Sequence, residues 1–251
     1  MSHKDLPITL ITGSRICQLM LFPVSSGLSG VRRSQVSVRP YFSPIMEDDE
    51  LIPLQQNRRG LIIGIVGTLS SGKSLLAAYL ARVHGFVHLS LSTPLYSEAR
   101  QRGRPTTVPE LQELGNSRRH AGGGEVLVDR LRGSIQALQS SSDLVLTGIK
   151  NPQEVAALKN WPNFRLIAID APADRRYERY QDAERGGETS TSRDAFDALD
   201  RRDRGEGEPA WGQQVKACIE MANRSWSNDG AIRELYDKVD NYLNELRGEL
   251  L

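Results

Sequence analysis

Gly67-Thr68-Leu69-Ser70-Ser71-Gly72-Lys73-Ser74 follows the apolar run Leu61-Ile62-Ile63-Gly64-Ile65-Val66 and precedes Leu75-Leu76-Ala77-Ala78-Tyr79-Leu80. The eight residues fit the pattern Gly-x-x-x-x-Gly-Lys-Ser in full. Glycine at both bends lets the backbone wrap closely, so that successive N–H groups point inward at an anion. The loop opens onto the helix predicted after Lys73, whose N-terminal partial positive charge favours phosphate. Gly67, Thr68, Leu69, Ser70, Ser71, Gly72, Lys73 and Ser74 are therefore the candidate nucleotide-binding residues. Lys73 is placed to reach the β- and γ-phosphates, and the Ser74 hydroxyl to ligate Mg²⁺. A serine-rich turn could match by chance, but the strand before it and the helix after it are the context the motif requires.

Working outward, the run 61–67 suits a strand buried on both faces. The segment after Lys73 suits a helix ending at Gly85. Residues 86–92 read as a second strand, 143–150 as a third, 164–172 as a fourth and 224–230 as a short last strand and turn. Between them lie predicted helices at 94–103, 109–120, 124–140, behind Pro152, at 173–186 and at 210–223. The tail repeats Ile232, Leu235, Tyr236, Val239, Tyr242, Leu243 and Leu246 at helical spacing, an amphipathic helix against the core. Strands alternating with helices predict an α/β fold around a parallel sheet. Residues 186–209 are polar, charged and glycine-bearing, and read as a mobile insertion outside the core.

Residues 1–58 have another character. Up to Ser43 the only acidic residue is Asp5, while Arg15, Arg32, Arg33 and Arg39 lie among serines and apolar residues. Three expectations fit: a disordered extension, a mitochondrial transit peptide, or a stretch ahead of a start at Met46. Residues 59–251 are the predicted folded domain, cytoplasmic unless residues 1–45 redirect it. The net charge of +1 argues against strong non-specific binding to nucleic acid or anionic lipid. No run of about 18 apolar residues suggests a membrane-spanning helix. Two cysteines, Cys17 and Cys218, and four histidines give neither a disulfide framework nor a zinc pattern. Asp237-Lys238-Val239-Asp240 distantly echoes the base-reading motif of GTPases, but it lies inside the tail helix, and that function is rejected.

From about residue 61 to 247 the chain resembles the P-loop nucleoside-monophosphate-kinase-like family, close to dephospho-CoA kinases and deoxynucleotide kinases. The resemblance rests on the ordered set GTLSSGKS, HGFVHLS, LQELGN, TGIKNPQEVAAL, LIAIDAP with RRYER, GEPAWGQQVKACIEMAN and NDGAIREL. It implies a five-stranded parallel sheet with helices on both faces, ATP and Mg²⁺ as ligands, and phosphoryl transfer to a small nucleotide-like acceptor. By the same resemblance Lys73, Lys150 and Arg176 are the candidate catalytic residues. Lys150 falls where such kinases often carry an arginine on the acceptor, and Arg176 and Arg179 fall at the edge of a lid over the phosphates. Ser92, Thr93, Arg100 and Lys150 are the candidate acceptor contacts.

Two departures stand out. Thr93 and Thr147 occupy positions where the family usually has aspartates, one beside the acceptor and one supporting the metal. A threonine hydroxyl supplies no negative charge for a metal or a proton. Asp170 and Glu98 are conceivable substitutes. Two functions therefore fit: an ATP-dependent kinase of a nucleoside monophosphate or a dephospho-CoA-type acceptor, or a nucleotide-binding module with little or no turnover. A nucleotide deaminase does not fit, because the chain has no His-x-Glu with Pro-Cys-x-x-Cys. The oligomeric state is not readable from the sequence.

Overall fold

A computed structural model describes residues 60–182 and 191–249, together with residues 11–12 and 15–16. The chain divides into two units, Met1–Leu51 and Ile52–Leu251. In the first, β1 (Ile11–Thr12) pairs antiparallel with β2 (Arg15–Ile16). The expectations for residues 1–58 otherwise lie outside the described residues.

The second unit is built on five strands: β3 (Ile62–Val66), β4 (Val87–Ser90), β5 (Leu144–Thr147), β6 (Phe164–Asp170) and β7 (Arg224–Ser227). They form one sheet in the order β4-β5-β3-β6-β7, and every pairing is parallel. Side chains alternate across it, as the two-residue period of a strand dictates. Ile62, Val66, Leu144, Leu146, Leu166 and Ala168 share one buried cluster, and Ile63, Ile65, Val145, Ile167 and Ile169 share the other. A strand covered on both faces cannot afford polar residues on either, which is why 61–66 reads as a continuous apolar run.

Helices cover both faces. Leu76 and Leu80 of α1 (Lys73–His84) join Leu235, Val239 and Leu243 of α9 (Ile232–Glu249) on one side. On the other, the cluster takes residues from α2 (Thr93–Gln101), α3 (Val108–Gly122), α4 (Val126–Gln139), α5 (Pro152–Lys159) and α8 (Val215–Glu220). The chain thus leaves β3 toward one face and the adjacent β5 toward the other. Where neighbouring strands send their connections apart, a crevice opens at their carboxyl ends. The loop 67–72 and the turn 148–151 flank that crevice.

Two expectations need correction. Residues 193–204 are not an irregular insertion but a helix, α7 (Arg193–Arg204), with the Ser192 hydroxyl accepting from the Ala195 N–H at its N-cap. Phe196 is fully buried against Leu69 and Tyr180. The buried face also carries Asp200 and Asp203, so an apolar-periodicity search passes over it. The predicted helix 210–223 shortens to α8. The predicted helix 173–186 is described as α6 (Ala173–Asp182), and residues 183–190 lie outside the described residues. The tail helix forms as expected. Asp240 accepts from Tyr79 Oη at 2.8 Å and pairs with His84, which pins α9 to α1 and accounts for the GTPase-like echo.

Candidate active site

The phosphate-type loop is held from below. Thr68 and Ser71 are fully buried. The Thr68 hydroxyl donates to Asp170 Oδ1, at the end of β6, and the same oxygen accepts the Ala171 N–H at 2.8 Å. Asn228, just past β7, donates from Nδ2 to the Ser71 carbonyl at 2.9 Å. Two glycines permit the approach. A Cβ on Gly67 would lie 1.9 Å from the Ile169 carbonyl oxygen, and one on Gly72 would lie 2.3 Å from Asn228 Nδ2. Gly72 also has φ = 108°, a conformation open to glycine. Gly67→Ala must therefore push β3 from β6, and we expect it to cost about 1–3 kcal/mol, the usual range for overpacking. Gly133→Ala, in α4 with open space around it, is the control and should be neutral or stabilising. Equal urea midpoints for the two variants would count against the close approach.

Lys73 opens α1 and folds back, donating from Nζ to the Thr68 carbonyl at 2.5 Å. Ser74 is exposed. Both line a cavity of about 1150 Å³ that also takes in Ser92, Thr147, Gly148 and Lys150.

Lys150 is positioned by a cap. Asn151 accepts the Gln153 N–H at 2.9 Å, while Glu154 Oε2 accepts the N–H groups of Asn151 (3.1 Å) and Lys150 (2.6 Å). This capping box, with Pro152 in the first helical turn, fixes the turn after β5. The other oxygen of Glu154 takes Arg119 Nε at 2.9 Å, and both side chains are buried. Lys150 Nζ pairs with Asp203 Oδ1 of α7 at 2.6 Å.

The expected site residues divide. Ser92 and Lys150 line the cavity with the loop residues Leu69, Ser70, Gly72, Lys73 and Ser74; Thr93 and Arg100 do not. Thr93 is exposed at the start of α2. Arg176 is also absent from the lining and only 1% exposed. Its guanidinium is spent on the Ala171 carbonyl (2.9 Å), the Leu69 carbonyl (3.2 Å) and a bidentate pair with Asp200, whose Nη2–Oδ2 arm is 2.8 Å. The expected lid arginine thus lies beneath the loop. Arg179, one turn on, does line the cavity, donating to the Asn228 carbonyl at 2.8 Å and leaving Nη1 without a partner among the described residues.

Neither candidate carboxylate stands at the empty aspartate positions. The Thr147 hydroxyl is bonded to His88 Nε2 at 2.8 Å. Hydrogen bonding from Arg118 holds the Glu98 carboxyl below the usual range, against the opposing effect of burial, with Arg102 and Arg130 adding to it. Glu98 is committed to that cluster. Asp170 accepts the Thr68 hydroxyl and the Ala171 N–H. Burial would raise the Asp200 carboxyl, but hydrogen bonds from Arg176 and Arg204 outweigh it and bring it down.

The sequence reading passed over Arg119, Gln112, Gln213 and Asp203, all lining the cavity. The signal for the first two was a polar stripe: Gln112, Asn116 and Arg119 fall at i, i+4 and i+7, one face of α3, and all three are buried.

No family model matches the chain. It is 30% identical over 188 residues to a UPF0200/UPF0201 protein of Archaeoglobus fulgidus, covering 74% of this chain and 55% of that protein. It is 30% identical over 125 residues to a deoxycytidylate deaminase of Schizosaccharomyces pombe, covering 47% of this chain and 32% of that enzyme. The chain thus spans about half of the first relative and a third of the second. Among solved structures, shikimate kinase from Aquifex aeolicus superposes with a TM-score of 0.43 at 16% identity, covering 76% of this chain and 98% of that one.

Proposed function

We propose that this chain is an ATP-dependent phosphotransferase for a small nucleotide or nucleotide-like acceptor, of the nucleoside-monophosphate or dephospho-CoA type. One observation carries the proposal: the loop and the presumptive acceptor wall open into a single cavity. Its volume of about 1150 Å³ exceeds the ~300–1,000 Å³ usual for one ligand, leaving room for donor and acceptor together. Gly67 to Ser74 hold the donor phosphates through backbone N–H groups, Lys73 neutralises charge on the transferring group, and Arg179 reaches in from α6. Arg176 keeps the loop in place. The exposed Ser74 hydroxyl would offer one oxygen to a Mg²⁺ ion carried in with the nucleotide. When bound, that ion neutralises charge on the phosphates. No helix among the described residues is long and apolar enough to cross a membrane, and the cavity is sized for small molecules.

A second function has one observation in its favour. Thr147, at the carboxyl end of β5, offers a hydroxyl already engaged by His88 and no carboxylate. A module that binds nucleotide without turning it over fits that feature. Full-length protein with ATP, Mg²⁺ and a panel of nucleoside monophosphates and dephospho-CoA separates the two. We expect ADP release that depends on an added acceptor. ATP binding with ADP release at background on every acceptor would decide for the module.

A further inference from the structure

The cations lining the cavity differ in their partners. Near the loop it is lined by Lys73 and by Arg179, whose guanidinium donates to the Asn228 carbonyl at 2.8 Å. At the far end each cation is already neutralised: Lys150 by Asp203 at 2.6 Å and Arg119 by Glu154 at 2.9 Å. The carboxylates are the more deeply placed partners, Asp203 at 1% and Glu154 at 0% side-chain exposure. A second phosphate at this end would meet two cations already paired with carboxylates, of which Arg119 keeps only Nη1 without a partner among the described residues, and the Asp203 carboxylate beside them.

The same end holds hydrogen-bonding capacity that the protein leaves unused. Asp203 Oδ2, Gln112 Oε1 and Gln213 Oε1 are buried with no partner among the described residues, and all three residues line the cavity. Asp203 and the two glutamines are each at least nine-tenths buried. Buried polar atoms are nearly always paired in folded proteins, so each unpaired one calls for an explanation. Arg119 Nη1, a buried donor of the same lining, also has no partner among the described residues, so this end offers three acceptors, as assigned, and one donor, and calls for a ligand that both donates and accepts. A phosphate monoester brings oxygens and negative charge. A hydroxyl brings a proton.

We propose, building on the phosphotransferase function above, that the acceptor is a hydroxyl compound and that Asp203 is the carboxylate that receives its proton. The group absent at Thr93 and Thr147 is then supplied from α7, beside Lys150. Asp203 Oδ2 accepts the hydroxyl O–H, and Oδ1 stays on Lys150, which keeps the carboxylate oriented. In the transfer the acceptor oxygen forms a bond to the γ-phosphorus as the bond from that phosphorus to the β–γ bridging oxygen breaks. ADP leaves with the bond's electron pair, and the hydroxyl proton passes to Asp203, then to solvent on product release. A phosphate acceptor, ionised at neutral pH, has no use for such a base. Gln112 and Gln213 hold further donors of the same molecule.

The type of bond formed is the test. Full-length protein is incubated with ATP and Mg²⁺ and, separately, adenosine, dephospho-CoA, shikimate or adenosine monophosphate, and products are read by phosphorus NMR. A new phosphate ester on any of these supports the proposal. A new phosphoanhydride on adenosine monophosphate, without an ester, overturns it while leaving the phosphotransferase function standing. ATP binding with no transfer to any of the four overturns both. Asp203→Asn, close in shape and able to keep a contact to Lys150, should lower ester formation by about 10²- to 10⁴-fold, the usual worth of a positioned base. Its ATP-dependent thermal shift should match that of the unmodified protein. An Asp203→Asn variant that retains the shift and full ester formation would remove Asp203 from the chemistry.

Discussion

Lys73→Ala is expected to abolish stabilisation by ATP·Mg²⁺. A ligand that binds only the folded state at about 100 times its Kd stabilises by about 2.7 kcal/mol. For a folded unit of this size each kcal/mol moves Tm by roughly 2–4 °C, so the unmodified protein should gain about 5–11 °C. In the variant the gain should vanish, and ADP formation with it. The reason is geometric. Lys73 is the first residue of α1 and its ammonium now reaches back to the Thr68 carbonyl, across the mouth of the loop. Phosphate oxygens are a stronger partner for an ammonium than a carbonyl is, so the side chain exchanges one for the other when nucleotide enters. Removing it leaves several negative charges facing only N–H dipoles. The loop itself should survive, because Thr68, Ser71 and Asn228 hold it by contacts that do not involve Lys73. An ATP-induced shift as large in Lys73→Ala as in the unmodified protein would place the nucleotide somewhere other than this loop.

How much of this was legible in the residues depended on how local the signal was. The loop, its strand and its helix are contiguous, and their chemistry is written in eight letters. The three central strands followed from apolar runs whose burial on both faces left no ambiguity of period. The helix behind Pro152 was read from its proline, but the capping box of Asn151 and Glu154 that fixes the turn at Lys150 emerged only from the structure. What failed was the reading of charged helices. In α7 the inward positions are Phe196, Asp200 and Asp203, and only one of them is apolar. Their burial depends on Arg176 and Lys150, which arrive from distant parts of the chain. No sequence window contains both halves of either pair. Arg176 was misplaced for the same reason: an arginine on a charged helix looks available until its carboxylate is known. The departures at Thr93 and Thr147 could be seen in the sequence, but Asp203, paired with Lys150, could be assigned only once α7 was placed.

Arg176→Ala should destabilise the fold itself by about 3–5 kcal/mol, the usual cost of removing one partner from a buried ion pair. The side chain is 1% exposed and links four points: the Ala171 carbonyl after β6, the Leu69 carbonyl in the loop, and both oxygens of Asp200 in α7. Its loss strands a buried carboxylate and two carbonyls and leaves a void under Phe196, which its guanidinium overlies at 5.7 Å. Arg204 can neutralise Asp200 in part, through its own contact at 2.9 Å, so the cost should fall toward the lower end of that range. The pair also sets a pH limit. The Asp200 carboxyl titrates lower in the folded chain than in the unfolded one. Its contribution is therefore complete above about pH 4, the ordinary range for the unfolded group, and drains away as pH falls through the depressed folded value. Arg176→Ala should lose that component of the acid dependence. Urea denaturation at pH 7 and again near pH 3 measures both, and a double-mutant cycle with Asp200→Asn isolates the coupling. An arginine acting on the transferring phosphoryl group would behave otherwise: its removal would cut turnover while changing the unfolding free energy by less than about 0.5 kcal/mol, as surface substitutions do. That outcome would return Arg176 to the lid and take away the strut that this geometry assigns to it.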